Sequence, residues 1–302
     1  MNTQSNVASE SFDAQRTAPA VMSATRPLYW SVRRELWEYR SIYLAPLVVA
    51  GLVLLGFLIA TMGRALTTSD LALRRTVLEE PPNFAALVIM LTTFVVAVFY
   101  CLDALHGERR DRSILFWKSL PVSDLTTVLA KASIPLVVLP LLTYAITFIV
   151  QWIMLLLSSA VLMGSGLSVG MLWTHMFQMS LMLLYHLVFI HSLWFAPIYA
   201  WLLLVSAWAR RAPFLWAFLP LLVIGGVEKI AFNTMHFVNL IGYRLSGGAE
   251  GGTFTAGSNM VNPLSMLAPG QFLTSPGLWI GFIFAALCLA GAVRLRRSRG
   301  PI

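Results

Sequence analysis

The chain has 302 residues, of which 58% are hydrophobic and 11% are charged. Soluble globular domains usually carry about 25% charged residues, so this composition excludes a protein whose main solvent is water. The net charge of +8 does not indicate nucleic-acid binding, because the basic residues lie beside apolar runs and form no large soluble face. We therefore expect one membrane domain, with membrane lipids and no nucleic acid among its partners.

Residues 1–26 are polar and lack the apolar stretch of a cleavable signal peptide, which predicts a disordered cytoplasmic tail before a membrane domain over residues 27–299. At the start of that domain, Pro27–Ser41 places apolar side chains three and four residues apart among charged ones. This spacing predicts an amphipathic helix at the membrane interface. Two roles fit it: a simple anchor for the first span, or a brace for a moving bundle.

Six apolar stretches are long enough to cross roughly 30 Å of hydrocarbon as helices, which predicts an all-α membrane fold. The third and fourth stretches exceed one perpendicular crossing, so we expect them to tilt or to extend beyond the bilayer. Pro135, Pro140 and Pro197 are expected to kink them. The predicted spans are Ile42–Met62, Phe84–Ala104, Thr127–Met163, Met176–Trp208, Pro213–Ala231 and Pro276–Leu295.

The positive charges predict the orientation, because Lys and Arg accumulate in cytoplasmic loops. Six spans put sixteen of the 21 Lys and Arg residues on one side of the membrane and four on the other. The remaining one, Lys229, lies at the end of the fifth span and is assigned to neither side. Both termini are therefore expected in the cytoplasm. The protein is expected in the inner membrane of the cell.

The connection over residues 105–124 contains HGERRDRSILFWKSLPVSD, which places a bulky apolar cluster in a cytoplasmic loop. Asp111 or Ser113 is expected to begin a short helix that displays this cluster, and Pro121 to end it. Aromatic residues ringed by Arg and Lys suit docking into another protein. The alternative is that Phe116 and Trp117 lie in the headgroup layer as an aromatic belt.

This connection resembles the segment before the third span of the ABC-2 type permeases, the membrane subunits of a class of ATP-binding-cassette exporters. The resemblance rests on Glu108-Arg109, Ser113-Ile114-Leu115-Phe116 and Ser119-Leu120-Pro121-Val122-Ser123. It implies that 105–124 is a coupling loop to an ATPase subunit and that Pro27–Ser41 is a connecting helix. It also implies pairing with a second copy or a paralogue. The residues expected to contact the ATPase are Arg109, Ser113, Ile114, Phe116, Trp117, Leu120 and Pro121.

The chain has no G-x-x-x-x-G-K-[ST] phosphate loop, so a separate subunit would have to bind ATP. The expectation is thus an exporter permease that is not an enzyme and carries no cofactor. The external loop, residues 232–275, has a glycine-rich middle between apolar flanks. The resemblance implies re-entrant helices there, whereas an ordinary exposed linker fits the composition equally well.

Polar residues inside a bilayer are costly and are therefore candidate functional groups. Glu228 and Lys229 fall near the outer boundary, where a cap or an ion pair is expected. Gln151 and Gln178 are expected to form interhelical hydrogen bonds or to line a pathway.

A membrane-embedded redox or haem-binding subunit, or an enzyme, is the competing interpretation, suggested by His175, His186 and His191. In an α-helix His186 and His191 would be about 140° apart, and His175 would lie roughly 16 Å from His186. We therefore predict no metal site. An ion-gradient-driven carrier would need broken midplane helices or buried carboxylates, and the sequence indicates neither clearly.

Overall fold

The computed structural model describes residues 25–61, 81–119, 122–163, 170–247 and 269–300. Within these ranges the regular structure is helical, with no strand. In the described part of the chain, six helices are long and apolar enough to cross a membrane, which agrees with the predicted number of spans. Residues 1–24 of the predicted tail, residues 1–26, lie outside the described ranges, and its last two residues belong to the first helix.

The first part of the chain forms two spans preceded and followed by shorter helices. Helix α1 covers Thr25–Glu38, and α2, the first span, covers Ser41–Ala60. The second span, α3, covers Pro81–Ala104. Two short helices, α4 (His106–Arg110) and α5 (Ile114–Ser119), then connect it to the third span.

The third and fourth spans each contain a segment of π-helix. The third begins at Asp124, three residues before the predicted start, because the Ser123 side chain caps the helix by accepting a hydrogen bond from the Thr126 amide (3.0 Å). The third span consists of α6 (Asp124–Ser133), π1 (Ile134–Val138) and α7 (Leu139–Met163). The fourth consists of α8 (Gly170–Tyr185), π2 (His186–Trp194) and α9 (Ala196–Trp208).

The three prolines that were predicted to kink these spans lie in or beside the π-helical segments, and Pro140 is in the first turn after π1. Pro135 lies inside π1, and Pro197 follows π2 at the start of α9. A proline has no amide to donate and clashes with the preceding turn, so the helix widens instead of continuing in α geometry. At the end of π2 the Phe195 amide accordingly donates to the Ile190 carbonyl, five residues back (3.1 Å). The two π segments also contact each other across the bundle.

The last part of the chain forms the fifth and sixth spans. The fifth, α10, covers Pro213–Phe232 and ends at Asn233, whose φ of 53° is a left-handed conformation that asparagine tolerates. Two helices then precede the sixth span α13, and residues 248–268 between them lie outside the described ranges. These three helices are α11 (His236–Leu245), α12 (Pro269–Thr274) and α13 (Pro276–Ser298).

The largest core cluster joins the second, third and fourth spans. Tyr199 and Leu203 of α9 pack there with Cys101 of α3 and Leu139 of α7. In contrast, α10 buries only Ala217 and Gly225, so most of its apolar surface faces outwards. A helix that is apolar all round and mostly unburied suits contact with lipid or with another membrane helix.

Candidate functional site

A network of buried and partly buried charged residues lies at the end of the bundle that carries α1, α4 and α5, which we call the α1 end. Its first member is Glu35 of α1, which is fully buried. Glu35 accepts hydrogen bonds from Nζ of Lys131 on α6 (2.9 Å) and from the hydroxyl of Tyr100 on α3 (2.9 Å). Arg34, its neighbour in the chain, forms a further ion pair with it.

The second member is Glu108 of α4, which connects the network to the loop between the second and third spans. One carboxylate oxygen of Glu108 lies 3.1 Å from Nζ of Lys131 and 3.0 Å from Nη2 of Arg34. Its other oxygen lies 3.3 Å from Nη2 of Arg296, near the end of α13. Lys131 therefore lies between two carboxylates that come from segments 73 residues apart in the chain.

Arg296 extends the network to the start of the third span. It forms an ion pair with Asp124, the first residue of α6, while also contacting Glu108. The cations Arg34, Lys131 and Arg296 thus balance the anions Glu35, Glu108 and Asp124. A buried ion network without this balance would be strongly destabilising, because each unpaired charge would have lost its hydration.

The surroundings of Glu35 act on its pKa in opposite directions. Burial raises the pKa of Glu35, but the positive charges of Lys131 and Arg34 outweigh burial and hold the pKa below its ordinary value. Glu35 is consequently ionised at neutral pH despite being buried. The ionised carboxylate forms ion pairs with the two cations and accepts a hydrogen bond from the Tyr100 hydroxyl.

Additional contacts attach α4 to α9 and to the end of the chain. Arg109 is buried, and its guanidinium donates to the carbonyls of Ala207 (2.8 Å), Ala209 (3.3 Å) and Gly300 (3.3 Å). Ser206 accepts hydrogen bonds from two amides at the start of α4. Arg109 was predicted to contact a partner, whereas in the structure its guanidinium donates to carbonyls within the chain.

Helix α5 forms where the short helix was predicted, but it displays fewer apolar residues than expected. Ile114 is buried, and Leu115 and Phe116 are about 60% exposed. Trp117 lies against Arg34, whose guanidinium carbon is 3.9 Å from the indole centroid, and its ring meets Phe116 edge-on. Leu115 and Phe116 therefore form the exposed apolar face of α5, and Trp117 connects α5 to the buried network.

Other predicted residues of this loop have internal roles or lie outside the described ranges. The Ser113 hydroxyl donates to the Glu108 carbonyl (3.4 Å), and the Asp111 carboxylate accepts from Arg110 (3.0 Å), so neither shows the expected capping bond. Leu120 and Pro121 lie outside the described residues.

The four intramembrane polar candidates lie away from the network. Glu228 accepts hydrogen bonds from the Thr234 hydroxyl and from two amides at the start of α11 (2.7–2.8 Å), so it acts as the cap that was expected near that boundary. Lys229 beside it is exposed. Gln151 is buried and accepts a hydrogen bond from Ser180 on the fourth span (3.5 Å), which is the expected interhelical bond, whereas Gln178 is half-buried.

The histidine geometry differs from the expectation. The predicted 140° separation of His186 and His191 is wrong, because both lie in π2, where hydrogen bonds join residues five apart. His191 contacts the Tyr199 hydroxyl through its Nε2 (3.1 Å). No group of three His, Cys, Asp or Glu side chains suited to a metal ion occurs among the described residues, and the side chain of His175 is not among them.

Three residues of the network were not predicted as site residues from the sequence: Glu35, Lys131 and Arg296. Lys131 offered one signal, since it lies seven residues inside the third span, where an ionisable side chain needs a partner. Its partners could not be identified from sequence, because they come from α1 and α4.

These features define the chain as a helical protein of the multi-pass membrane class, with a buried ionic network at one end of its bundle. Comparisons with family models, curated proteins and solved structures gave no significant match to this chain.

Proposed function

We propose that this chain is the permease subunit of an ATP-binding-cassette exporter of the ABC-2 type, located in a cell inner membrane with its α1 end in the cytoplasm. One observation carries the proposal. Helix α5 exposes Leu115 and Phe116, while Trp117 and the adjoining α4 join it to α1 and to the third and sixth spans. An exposed apolar surface on a short helix that is firmly attached to the bundle is suited to binding an ATPase that moves the bundle.

The position of the termini is compatible with this orientation. Helix α1 and the end of α13 meet at the same end of the bundle, because Glu35 and Arg296 both belong to the network. An even number of crossings requires this arrangement. The excess of Arg and Lys at the same end supports a cytoplasmic location.

In the proposed mechanism, a separate ATPase docks on Leu115 and Phe116 and moves α5 as it closes on ATP. Since Glu108 and Lys131 connect α4 to α6, the motion would tilt the second and third spans together. Export would follow from a shift in population between two packings of the bundle. A second copy of the chain or a paralogue would complete the transporter.

A site-specific crosslinking experiment tests the docking surface. A photoreactive amino acid at Leu115 should capture a protein that contains a G-x-x-x-x-G-K-[ST] loop, as identified by mass spectrometry of the product from native cells. The same amino acid at Leu240 of α11, which is 62% exposed at the other end of the bundle, is the control. Equal capture of this ATPase from both positions, or none from Leu115, would contradict the proposal.

A matched pair of phenylalanine variants tests the energetics. Phe116→Ala should weaken ATPase binding about 30-fold, the effect of losing an aromatic anchor worth about 2 kcal/mol. Phe214→Ala removes a similarly exposed ring (55%) from α10 and should leave binding unchanged. Wild-type binding by Phe116→Ala would show that this ring does not form the docking surface.

A further inference from the structure

The face of α1 opposite the buried network carries an unusual stack of exposed side chains. Trp30 and Trp37 are 58% and 70% exposed, and Arg33 lies between them in the sequence. The guanidinium carbon of Arg33 is 5.2 Å from the Trp30 ring and 5.0 Å from the Trp37 ring. Positions 30, 33 and 37 share one side of a helix, so the three side chains form a continuous strip.

This strip is positively charged. Arg26, Arg33 and Arg40 are all exposed on or beside α1, whereas its exposed acid, Glu38, pairs with Arg34 (3.8 Å). Arg33 forms no ion pair with a carboxylate among the described residues, so its charge is not neutralised there. The strip therefore offers a planar cation between two indole rings, which suits an anionic group at the edge of an apolar phase.

The location of α1 indicates where that anion would be. Only Tyr39 and Arg40 separate α1 from the first span, and the other face of α1 packs against α6 at the beginning of the third span. This helix therefore lies at the level where two spans enter the bilayer. Tryptophan prefers the headgroup layer, and basic helices at this depth are attracted to anionic lipids.

We propose that Trp30, Arg33 and Trp37 form a binding site for an anionic phospholipid, with the lipid phosphate held by the Arg33 guanidinium. The two indoles keep the guanidinium plane fixed, so that its N–H edge can donate two parallel hydrogen bonds to phosphate oxygens. The rings also contact the glycerol and upper acyl region. The bound lipid would thus hold the outer face of α1 while the buried network holds its inner face.

The site can be tested on the purified full-length chain without any ATPase, so its failure is distinguishable from failure of the exporter proposal. The chain is reconstituted in phosphatidylcholine nanodiscs containing a minor fraction of brominated phosphatidylglycerol or brominated phosphatidylcholine. Bromine quenches nearby tryptophan, and the signal of Trp30 and Trp37 is the difference between the wild type and the Trp30→Phe, Trp37→Phe double variant. We expect this signal to be quenched at lower fractions of phosphatidylglycerol than of phosphatidylcholine.

Arg33→Gln should reduce the apparent affinity for phosphatidylglycerol about tenfold, the effect of losing a charge-assisted hydrogen bond to the lipid phosphate. Arg211→Gln is the matched control, because it removes the same charge from an exposed position at the same end of the bundle. Equal losses in both variants would indicate general attraction and overturn the site. Equal quenching by the two lipids would contradict the lipid site and show that the strip is a simple aromatic anchor. Competition by millimolar inorganic phosphate would also contradict it and show that the strip binds a soluble anion.

Discussion

Lys131 is the residue whose loss should disturb the network most, because it is the central cation between two buried carboxylates. Its side chain is 1% exposed, and its Nζ lies 2.9 Å from Glu35 and 3.1 Å from Glu108. Methionine has a similar length and no charge, so Lys131→Met should preserve the packing of α6 while removing both ion pairs. The two carboxylates would keep Arg34 as a shared partner.

The expected cost follows from the remaining contacts. Removing one partner of a buried ion pair usually costs 3–5 kcal/mol, and the retained Arg34 contacts place this variant near the lower bound, at about 3 kcal/mol. At about 2 °C per kcal/mol for a chain of this size, the thermal midpoint should fall by about 6 °C. The midpoint can be measured in detergent from tryptophan fluorescence during heating.

Two controls make the result specific. Lys118→Met removes an exposed lysine whose contacts are with backbone carbonyls, and its midpoint should stay within about 1 °C of the wild type. Adding Glu35→Gln to Lys131→Met should cost less than the sum of the single variants, because Glu35 and Lys131 are direct partners. A Lys131→Met midpoint equal to that of Lys118→Met, or strictly additive losses, would refute the reasoning.

Three further predictions concern other parts of the structure. Arg244→Gln should increase the rate of amide hydrogen exchange in α11 about tenfold. Helix α11 has no buried residue, and Arg244 attaches it to the bundle through the Trp194 ring (4.3 Å) and the Gly277 carbonyl (2.8 Å). Unchanged exchange would show that other contacts hold the helix. Gly281→Ala should lower stability by about 1–3 kcal/mol, since a Cβ there would lie 2.9 Å from Cγ of the rigid Pro197 ring and would also displace the flexible Arg244 side chain. Gly226→Ala, which meets nothing within 4 Å, is the control in the same thermal assay. The pKa of Glu35 in the folded protein lies below its ordinary value of about 4.3. The ionised Glu35 therefore stabilises the fold above that pH, and this contribution is lost as the pH falls below it. In this acidic range the thermal midpoint should fall more steeply for the wild type than for Glu35→Gln.

The spans were predictable because the length requirement of a bilayer leaves a strong one-dimensional signal. Helix α5 was also predictable, since Pro121 and the polar residues around 111–113 bound a short apolar run. Its exposed face was only partly predictable. Ile114 is buried and Trp117 lies on Arg34, a residue from a different part of the chain.

The network could not be predicted because charge pairing across a bundle depends on which helix faces meet. Arg34 and Glu108 are separated by 74 residues, and Glu108 and Arg296 by 188. Hydrophobic content does not distinguish a helix face that meets another helix from one that meets lipid. The π segments show a related limit: proline predicts an irregularity, but whether the helix kinks or widens depends on the neighbours it packs against.

The network also indicates which parts of the molecule would move together if α5 were displaced. Separating α4 from α6 would break ion pairs of the network and leave charged side chains without a partner. Each broken pair would cost several kcal/mol. Moving α1, α4, α6 and the end of α13 as one unit keeps every ion pair intact and costs much less. The third span then leaves this unit at π1, directly after α6, and π1 contacts π2 of the fourth span. Since π-helical turns interrupt the regular hydrogen-bond register, we expect the bundle to bend at these two segments when force is applied at Leu115 and Phe116.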